Sequence, residues 1–527
     1  MTDRPGPAPL PERRPLVDLA ARLAAEGRLR GIRLDGSAVG TAALGDRSAR
    51  GGVTHDSRAV VPGGLFVAIP GEHLDGHDFA AAALAAGASA LIVERPLPGV
   101  TATQLVVNRA RPTLASAAAW WFGDPSRDLT VIGITGTDGK TTTSYLAVAA
   151  LEAAGRRTGM IGTIATRIGG HTDDHAAHAT TPEAPELQAA LHAMVQAGDD
   201  TVVLETTSHA LALDRVGSVA YDVAILTNLT HEHLELHGTW EAYRDAKLSL
   251  FSRLHGPATT GIVNLDDPSA GVFIGVTSET GARLITYGTE PSADIRATRI
   301  TEDAAGLRAE IETPDGPGIL ALRLAGRFNV HNALAVVALG RALGLDPARI
   351  RAGLHGLERV PGRMERLDRG QPFGVVVDFA HSPASLLTVL DLLAPSAAAR
   401  GGGLIAVFGS AGERDTAKRP QMGRIAGERC RLVVVTDEDP RGEDREAILD
   451  AIARGAESAG RRRGNDLLLI PDRRAAIEAA FEAARPGDIV LLAGKGHEHL
   501  IIGPDGDRPW DESGVAMELL DALGYRG

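Results

Sequence analysis

Only four of the chain's 54 basic residues are lysine: Lys140, Lys247, Lys418 and Lys495. Lysine is normally among the commonest residues, so this chain uses arginine wherever a generic positive charge will serve. The four positions that keep lysine are candidates for sites where a guanidinium cannot replace an ammonium or amine. Lys140 stands in Gly136-Thr137-Asp138-Gly139-Lys140-Thr141-Thr142, between an apolar run and a helical stretch. Glycines let backbone N–H groups curl around phosphates, and a helix N-terminus adds positive potential. Lys140 would reach the terminal phosphates of a nucleotide, and Thr141 would offer a hydroxyl to Mg²⁺. The strict GxxxxGK[ST] spacing fails, because Ile134 takes the first glycine position. Lys418 lies in the polar stretch Gly409–Pro420 with Arg414 and Arg419, and Lys495 lies between Gly494 and Gly496 ahead of Glu498. Lys247 reads, by itself, as a surface lysine on an amphipathic helix.

Other side chains suggest metal and substrate chemistry. Glu205 closes an apolar run, and a carboxylate there, near a phosphate loop, suits Mg²⁺. His231-Glu232-His233 does not have the HExxH spacing of a zinc helix, because its histidines fall on different helix faces. The segment Asp437-Glu438-Asp439-Pro440-Arg441 offers two opposed preferences. The planar fork of Arg441 suits a carboxylate, whereas Asp439 adds negative charge that favours an ammonium.

These motifs, in this order, resemble the Mur ligases, the ATP-dependent amide-forming family of bacterial cell-wall synthesis, over nearly the whole chain. The likeness is to members that add the third residue to UDP-N-acetylmuramoyl-L-alanyl-D-glutamate. The family's phosphate loop usually reads Gly-Thr-Asn-Gly-Lys-Thr, with Asp138 here in place of Asn. The resemblance implies ATP and two Mg²⁺ ions as cofactors. It implies Lys140, Glu205, His233 and Lys247 as catalytic residues, with Thr141, Glu205, His233 and a carbamylated Lys247 around the metal. It implies nucleotide contacts from Gly136, Thr137, Asp138, Gly139, Lys140, Thr141 and Thr142, together with Asn332, Arg363 and Asp378. Substrate contacts fall on Ser57, Arg58, Asp75 and His77 for the UDP group, and on Thr180, Thr181, Ser208 and Arg215 for the muramoyl dipeptide. Arg414, Lys418, Asp439, Arg441, Gly494 and Glu498 fall in the amino-acid region. His237 reads as an ordinary polar neighbour. The implied substrates are the UDP-muramoyl dipeptide and a free diamino acid, meso-diaminopimelate before lysine or another diamino acid. A folylpolyglutamate-synthase-like ligase and a catalytically silent nucleotide-sugar-binding protein are the alternatives.

The elements that must position these residues are readable as an α/β fold. Apolar runs at 130–135, 201–204, 223–226, 261–264, 375–377, 404–408, 432–436 and 489–492 suit strands buried on both faces of a parallel sheet. They alternate with helical stretches, and the motifs follow their ends, where open α/β sheets bind ligands. The alanine-rich stretch 79–90 reads as a helix. Three domains are expected at 16–125, 126–361 and 362–527: a UDP-substrate domain, a central P-loop ATPase-like domain and a Rossmann-like amino-acid domain. Residues 1–15 read as a disordered leader.

Composition agrees with that reading. At 527 residues the chain is long enough for about three domains. A net charge of −13 without a basic run argues against nonspecific nucleic-acid or membrane-surface binding. One cysteine, Cys430, excludes an intrachain disulfide framework and fits a reducing, cytoplasmic setting. No apolar run reaches the ~18 residues of a membrane span. No obligate protein partner is inferred.

Overall fold

The computed structural model describes residues 12–527 apart from 72–73, 175–179, 231–236 and 304–305. Three sheets dominate. The first has six strands, running Ser37–Val39, Leu29–Leu34, Thr103–Val107, Ala90–Val93, Leu65–Val67 and Val53–Thr54 across the sheet. The alanine-rich stretch beside it is less helical than its composition suggests. A single turn precedes the short helix Ala80–Ala85, and Ala90 already opens a strand.

Residues 14 and 15 correct the expected leader. Arg14–Pro15 pairs with Ser48–Ala49, and Arg14 Nε donates to the Trp121 carbonyl at 2.8 Å. Residues 1–11, the rest of that leader apart from 12 and 13, lie outside the described residues.

The central sheet has eleven strands. Its parallel middle runs Thr158–Ile161, Thr201–Glu205, Thr130–Thr135, Val223–Leu226, Thr260–Asn264 and Arg283–Gly288. The strand before the phosphate loop therefore lies between the strand ending in Glu205 and the strand leading to Asn228. Continuous Val, Ile and Leu runs form these strands because helices cover both faces. Lys140–Ala153 and Phe328–Ala342 pack on one side, and Ala184–Ala197 and Trp240–Phe251 on the other.

The third sheet runs Glu365–Leu367, Gly374–Asp378, Ile489–Ala493, Leu404–Phe408, Leu432–Val435 and Leu467–Leu469, parallel after its first strand. The carboxyl ends of its strands carry Asp378, Gly409, Asp437 and Gly494. No helix among the described residues is long and apolar enough to cross a membrane.

Candidate active site

The phosphate loop turns from its strand into the helix Lys140–Ala153. At Gly136, φ is +147°, and a Cβ there would lie 1.9 Å from Thr227 Oγ1, so only glycine fits. Thr227 Oγ1 and Asn228 Nδ2 both donate to the Asp138 carbonyl, and the Asp138 N–H donates to Asn228 Oδ1 at 3.0 Å. Lys140 Nζ reaches the carbonyls of Gly136 and Thr137 at 2.9 and 2.8 Å. Thr142 is buried in the first turn of the helix. Asn332 is an interior, buried residue of the helix Phe328–Ala342. Its side chain donates to Asn329 Oδ1, and a Cβ at Gly139 would approach Asn332 Oδ1 to 2.5 Å.

Beside the loop is a pocket of hard oxygens. The fully buried Glu205 accepts from Thr141 Oγ1 at 3.0 Å, Thr163 Oγ1 at 2.9 Å and the Thr163 N–H at 3.1 Å. Thr163 Oγ1 also reaches Thr180 Oγ1 at 3.2 Å. Thr163 was missed in the sequence. Its signal was the polar Gly162-Thr163 step directly after an apolar strand. Thr181 Oγ1 donates to the Glu205 carbonyl, and Ser208 opens the short helix Ser208–Ala212 behind a Thr207 cap. Arg215 donates to the Thr181 carbonyl and pairs with Glu183 at 2.9 Å. Its charge is thus already matched within the chain.

Lys247 is not on the surface. It is 2% exposed, donates to the Gly136 carbonyl at 2.7 Å, and lies 4.5 Å above the Tyr243 ring. His231, Glu232 and His233 lie outside the described residues, and among the described residues no three His, Cys, Asp or Glu side chains converge.

The first sheet holds its own group. Ser57 and Arg58 form a turn capped by Asp56, which also pairs with the exposed Arg58 guanidinium and is held down to about 2 by those contacts. His77 is buried. Its Nδ1 meets Asp75 at 2.6 Å, and its Nε2 accepts the Glu94 N–H. Both ring nitrogens therefore shape the loop rather than face a ligand.

In the third sheet, Asp378 accepts from the Met364 and Ala380 N–H groups, which ties the linker to a strand end. Burial pushes its carboxyl above the ordinary range. Arg363 stacks over Phe379 at 4.8 Å. Lys418 Nζ donates to the His381 carbonyl, Arg414 is exposed, and Arg419 is buried against Glu443 with contacts of 2.6 and 2.8 Å. The Arg419 guanidinium therefore holds the loop instead of facing a substrate.

Asp439 is also engaged internally. Its Oδ1 accepts Lys495 Nζ at 2.8 Å and the Ile502 N–H at 3.0 Å. The fully buried Lys495 reaches Glu498 as well, at 2.6 Å. Burial raises the Glu498 carboxyl above its usual range, against the pull of Lys495. Arg441 adopts φ +53° and donates its N–H to the Ile502 carbonyl. Two buried polar atoms here have no partner among the described residues, Glu438 Oε2 and Arg441 Nε. An unpaired buried polar atom is costly, so this loop has one acceptor and one donor to offer a ligand.

Comparisons with known proteins agree with this layout. The chain matches the Mur ligase family catalytic domain over residues 51–119, the Mur ligase middle domain over 134–340 and the Mur ligase glutamate ligase domain over 362–496. It is 47% identical to a UDP-N-acetylmuramyl-tripeptide synthetase of Roseiflexus sp. (strain RS-1), covering 90% of this chain and 95% of that protein. It is 42% identical to a UDP-N-acetylmuramoyl-L-alanyl-D-glutamate–2,6-diaminopimelate ligase of Geobacter metallireducens, covering 86% and 90%. A solved structure of a ligase with that same name matches at 31% identity with a TM-score of 0.63, covering 90% and 95%. The chain belongs to the Mur ligase family of ATP-dependent amide-bond-forming ligases.

Proposed function

We propose that this ligase adds meso-diaminopimelate to UDP-N-acetylmuramoyl-L-alanyl-D-glutamate in the cytoplasm, as a step of peptidoglycan precursor synthesis. The observation that carries the choice of amino acid is the loop 437–441. The charge of Asp439 is spent on Lys495 and the Ile502 N–H, while the same loop keeps an unpartnered Arg441 guanidinium nitrogen and an unpartnered Glu438 oxygen. One loop that offers a donor for a carboxylate and an acceptor for an ammonium suits the zwitterionic far end of diaminopimelate better than the plain ammonium of lysine.

In this reading ATP lies on the loop 136–142, with Lys140 on its phosphates and Asn332, Arg363 and Asp378 on its other flank. The D-glutamate side-chain carboxylate attacks the terminal phosphorus, and ADP leaves. The amino group of diaminopimelate then attacks the acyl phosphate carbonyl carbon, the bond to the bridging oxygen breaks, the amine loses a proton as the amide forms, and phosphate departs with that former carboxylate oxygen. Positioning and charge neutralisation supply most of the catalysis in such transfers. The clustered oxygens of Thr141, Thr163 and Glu205, of which Thr141 and Glu205 are buried, fit Mg²⁺, which takes hard oxygen ligands. Those residues would hold one ion, and a carbamylated Lys247 with His233 a second, the latter pair assigned on family resemblance. Bound Mg²⁺ would neutralise charge on the transferring phosphoryl group.

The UDP group is assigned to the loops of Ser57, Arg58 and Asp75, with His77 holding the second loop in shape, and the dipeptide to Thr180, Thr181 and Ser208, with Arg215 buttressing Thr181. Arg414, Lys418, Arg441, Gly494 and Glu498 surround the amino acid, with Glu498 accepting from its ammonium. The domain limits 16–125, 126–361 and 362–527 belong to the same proposal, refined by the pairing of Arg14–Pro15, which moves the first domain's start to residue 14.

Incubation with ATP, Mg²⁺, the UDP-muramoyl dipeptide and, separately, meso-diaminopimelate, L-lysine and L-ornithine tests this. Phosphate release with diaminopimelate at the highest kcat/KM is expected. A preference for lysine or ornithine would overturn the amino-acid assignment, and no release with any amine would overturn the reaction.

A further inference from the structure

Tyr243 is fully buried at the centre of the cluster that joins the phosphate loop to the helix bearing Lys247. It lies one helical turn before Lys247, so the two side chains share a face of Trp240–Phe251. Its hydroxyl meets Thr137 Oγ1 at 2.9 Å. Thr137 is otherwise bound to the segment after the strand Val223–Leu226: its N–H donates to the Asn228 carbonyl, and its hydroxyl accepts the Thr230 N–H at 2.9 Å. Lys247 Nζ lies 4.5 Å from the centre of the Tyr243 ring, over its face. A T-shaped contact joins the ring to His237 at 5.4 Å, and His237 meets His209 edge-on at 5.9 Å. His209 is four residues past Glu205 in the chain. One tyrosine therefore touches the loop, the lysine-bearing helix, and a ring chain leading to the Glu205 strand.

The geometry points to Tyr243 as a positioning residue that locks the phosphate loop to Lys247, so that loop and lysine meet the transferring phosphoryl group as one rigid unit. This rests on the reading of Lys247 as a residue of the reaction centre. A Tyr hydroxyl in a buried site needs a partner, and here that partner is a loop side chain whose neighbours bind phosphate. A one-ångström displacement of such groups costs about 100-fold in rate.

The test is a double-mutant cycle on the full-length enzyme, with Tyr243→Phe, Thr137→Val and the pair, read as kcat and as KM for each substrate. Tyr243→Phe keeps the ring and the fold, and its melting temperature is the control for folding. We expect Tyr243→Phe to lower kcat about 10-fold, with KM for the amino acid within twofold. The pair should lose little more than Thr137→Val alone, because both changes break the Tyr243–Thr137 contact and Thr137→Val additionally removes the acceptor of the Thr230 N–H. A Tyr243→Phe enzyme with kcat within twofold of the parent would overturn the proposal. So would losses that multiply in the double variant. Lys247→Ala measured in parallel keeps the two readings apart. A fully active Lys247→Ala enzyme refutes the role of the lysine, while the cycle still reports the tie between Tyr243 and the loop.

Discussion

The sign of the charge at residue 439 decides how the amino-acid loop is read. As sequence, Asp439 favours an ammonium. In the fold its oxygen lies against the buried Lys495 ammonium and the Ile502 N–H, so the carboxylate closes the loop onto the hairpin Leu500–Gly503/Gly506–Pro509. Asp439→Asn should therefore cost stability rather than change specificity. Lys495 would keep Glu498 as its partner, and the loss should be roughly 1–3 kcal/mol, the cost of an imperfectly satisfied buried group. Denaturant unfolding checks the first half of this. The diaminopimelate-to-lysine ratio of kcat/KM checks the second, and a reversed preference would return Asp439 to the ligand shell. Lys247 calls for the opposite test. If its carbamate completes the metal site, Lys247→Ala should lose roughly 100-fold or more in kcat, the scale of one electrostatic contact to a transferring group. Acetate or formate should restore part of it by filling the space with a carboxylate. A plain variant with parental kcat would rule the carbamate out.

Elements explain why some of this was legible and some was not. The eight apolar runs became strands with shifts of a residue or so at their ends, because a strand covered on both faces needs continuous Val, Ile and Leu. The hairpin strands Ile295–Asp303, Gly306–Thr313 and Gly316–Leu322 escaped notice. In the middle one, Arg308, Glu310 and Glu312 fill the outward face, so only every second residue is buried and no continuous apolar run marks it. The motif loops were readable because glycines and charges cluster at strand ends. Tyr243 and the pairing of Asp439 with Lys495 and Ile502 were not, because tertiary packing decides which side chains meet. The helix carrying Lys247 shows how local chemistry still matters. Thr239 caps it by accepting the Ala242 N–H at 3.1 Å. Thr239→Ala should cost about 1 kcal/mol. Amide exchange in the first turn of Trp240–Phe251 should accelerate correspondingly, while exchange in the third sheet stays at the parental rate. Unchanged protection at 240–244 would show that tertiary contacts alone hold that turn.

The linker into the third sheet forms a junction that both chemistry and pH response should report. Gly362, in the linker to the third sheet, has φ +61°, and a Cβ there would lie 2.3 Å from the His497 nitrogen. Arg363 stacks on Phe379, and Phe379 packs at 4.9 Å on the His497 ring. The linker and the loop holding Lys495 and Glu498 are therefore one contact surface, so a change in either should be felt at the other. Gly362→Ala should lower kcat/KM for the amino acid by roughly 10- to 100-fold and leave KM for the UDP substrate within twofold. Equal losses for both substrates would mean that the contact serves the fold in general. The same junction holds a titratable group out of its ordinary range. Burial, then the charges of Arg363, His499, Lys495 and His381, push His497 down to about 3. Between that value and about 6.5, the ordinary histidine value, the unfolded chain binds a proton that the folded chain refuses. The stabilisation is therefore complete above about pH 6.5 and is lost as the pH falls toward 3, by about 1.4 kcal/mol for each pH unit crossed. His497→Gln keeps a neutral polar side chain without that proton. Its melting temperature should fall less than the parent's between pH 7 and pH 4, and parallel curves for the two proteins would place the acid sensitivity elsewhere in the molecule.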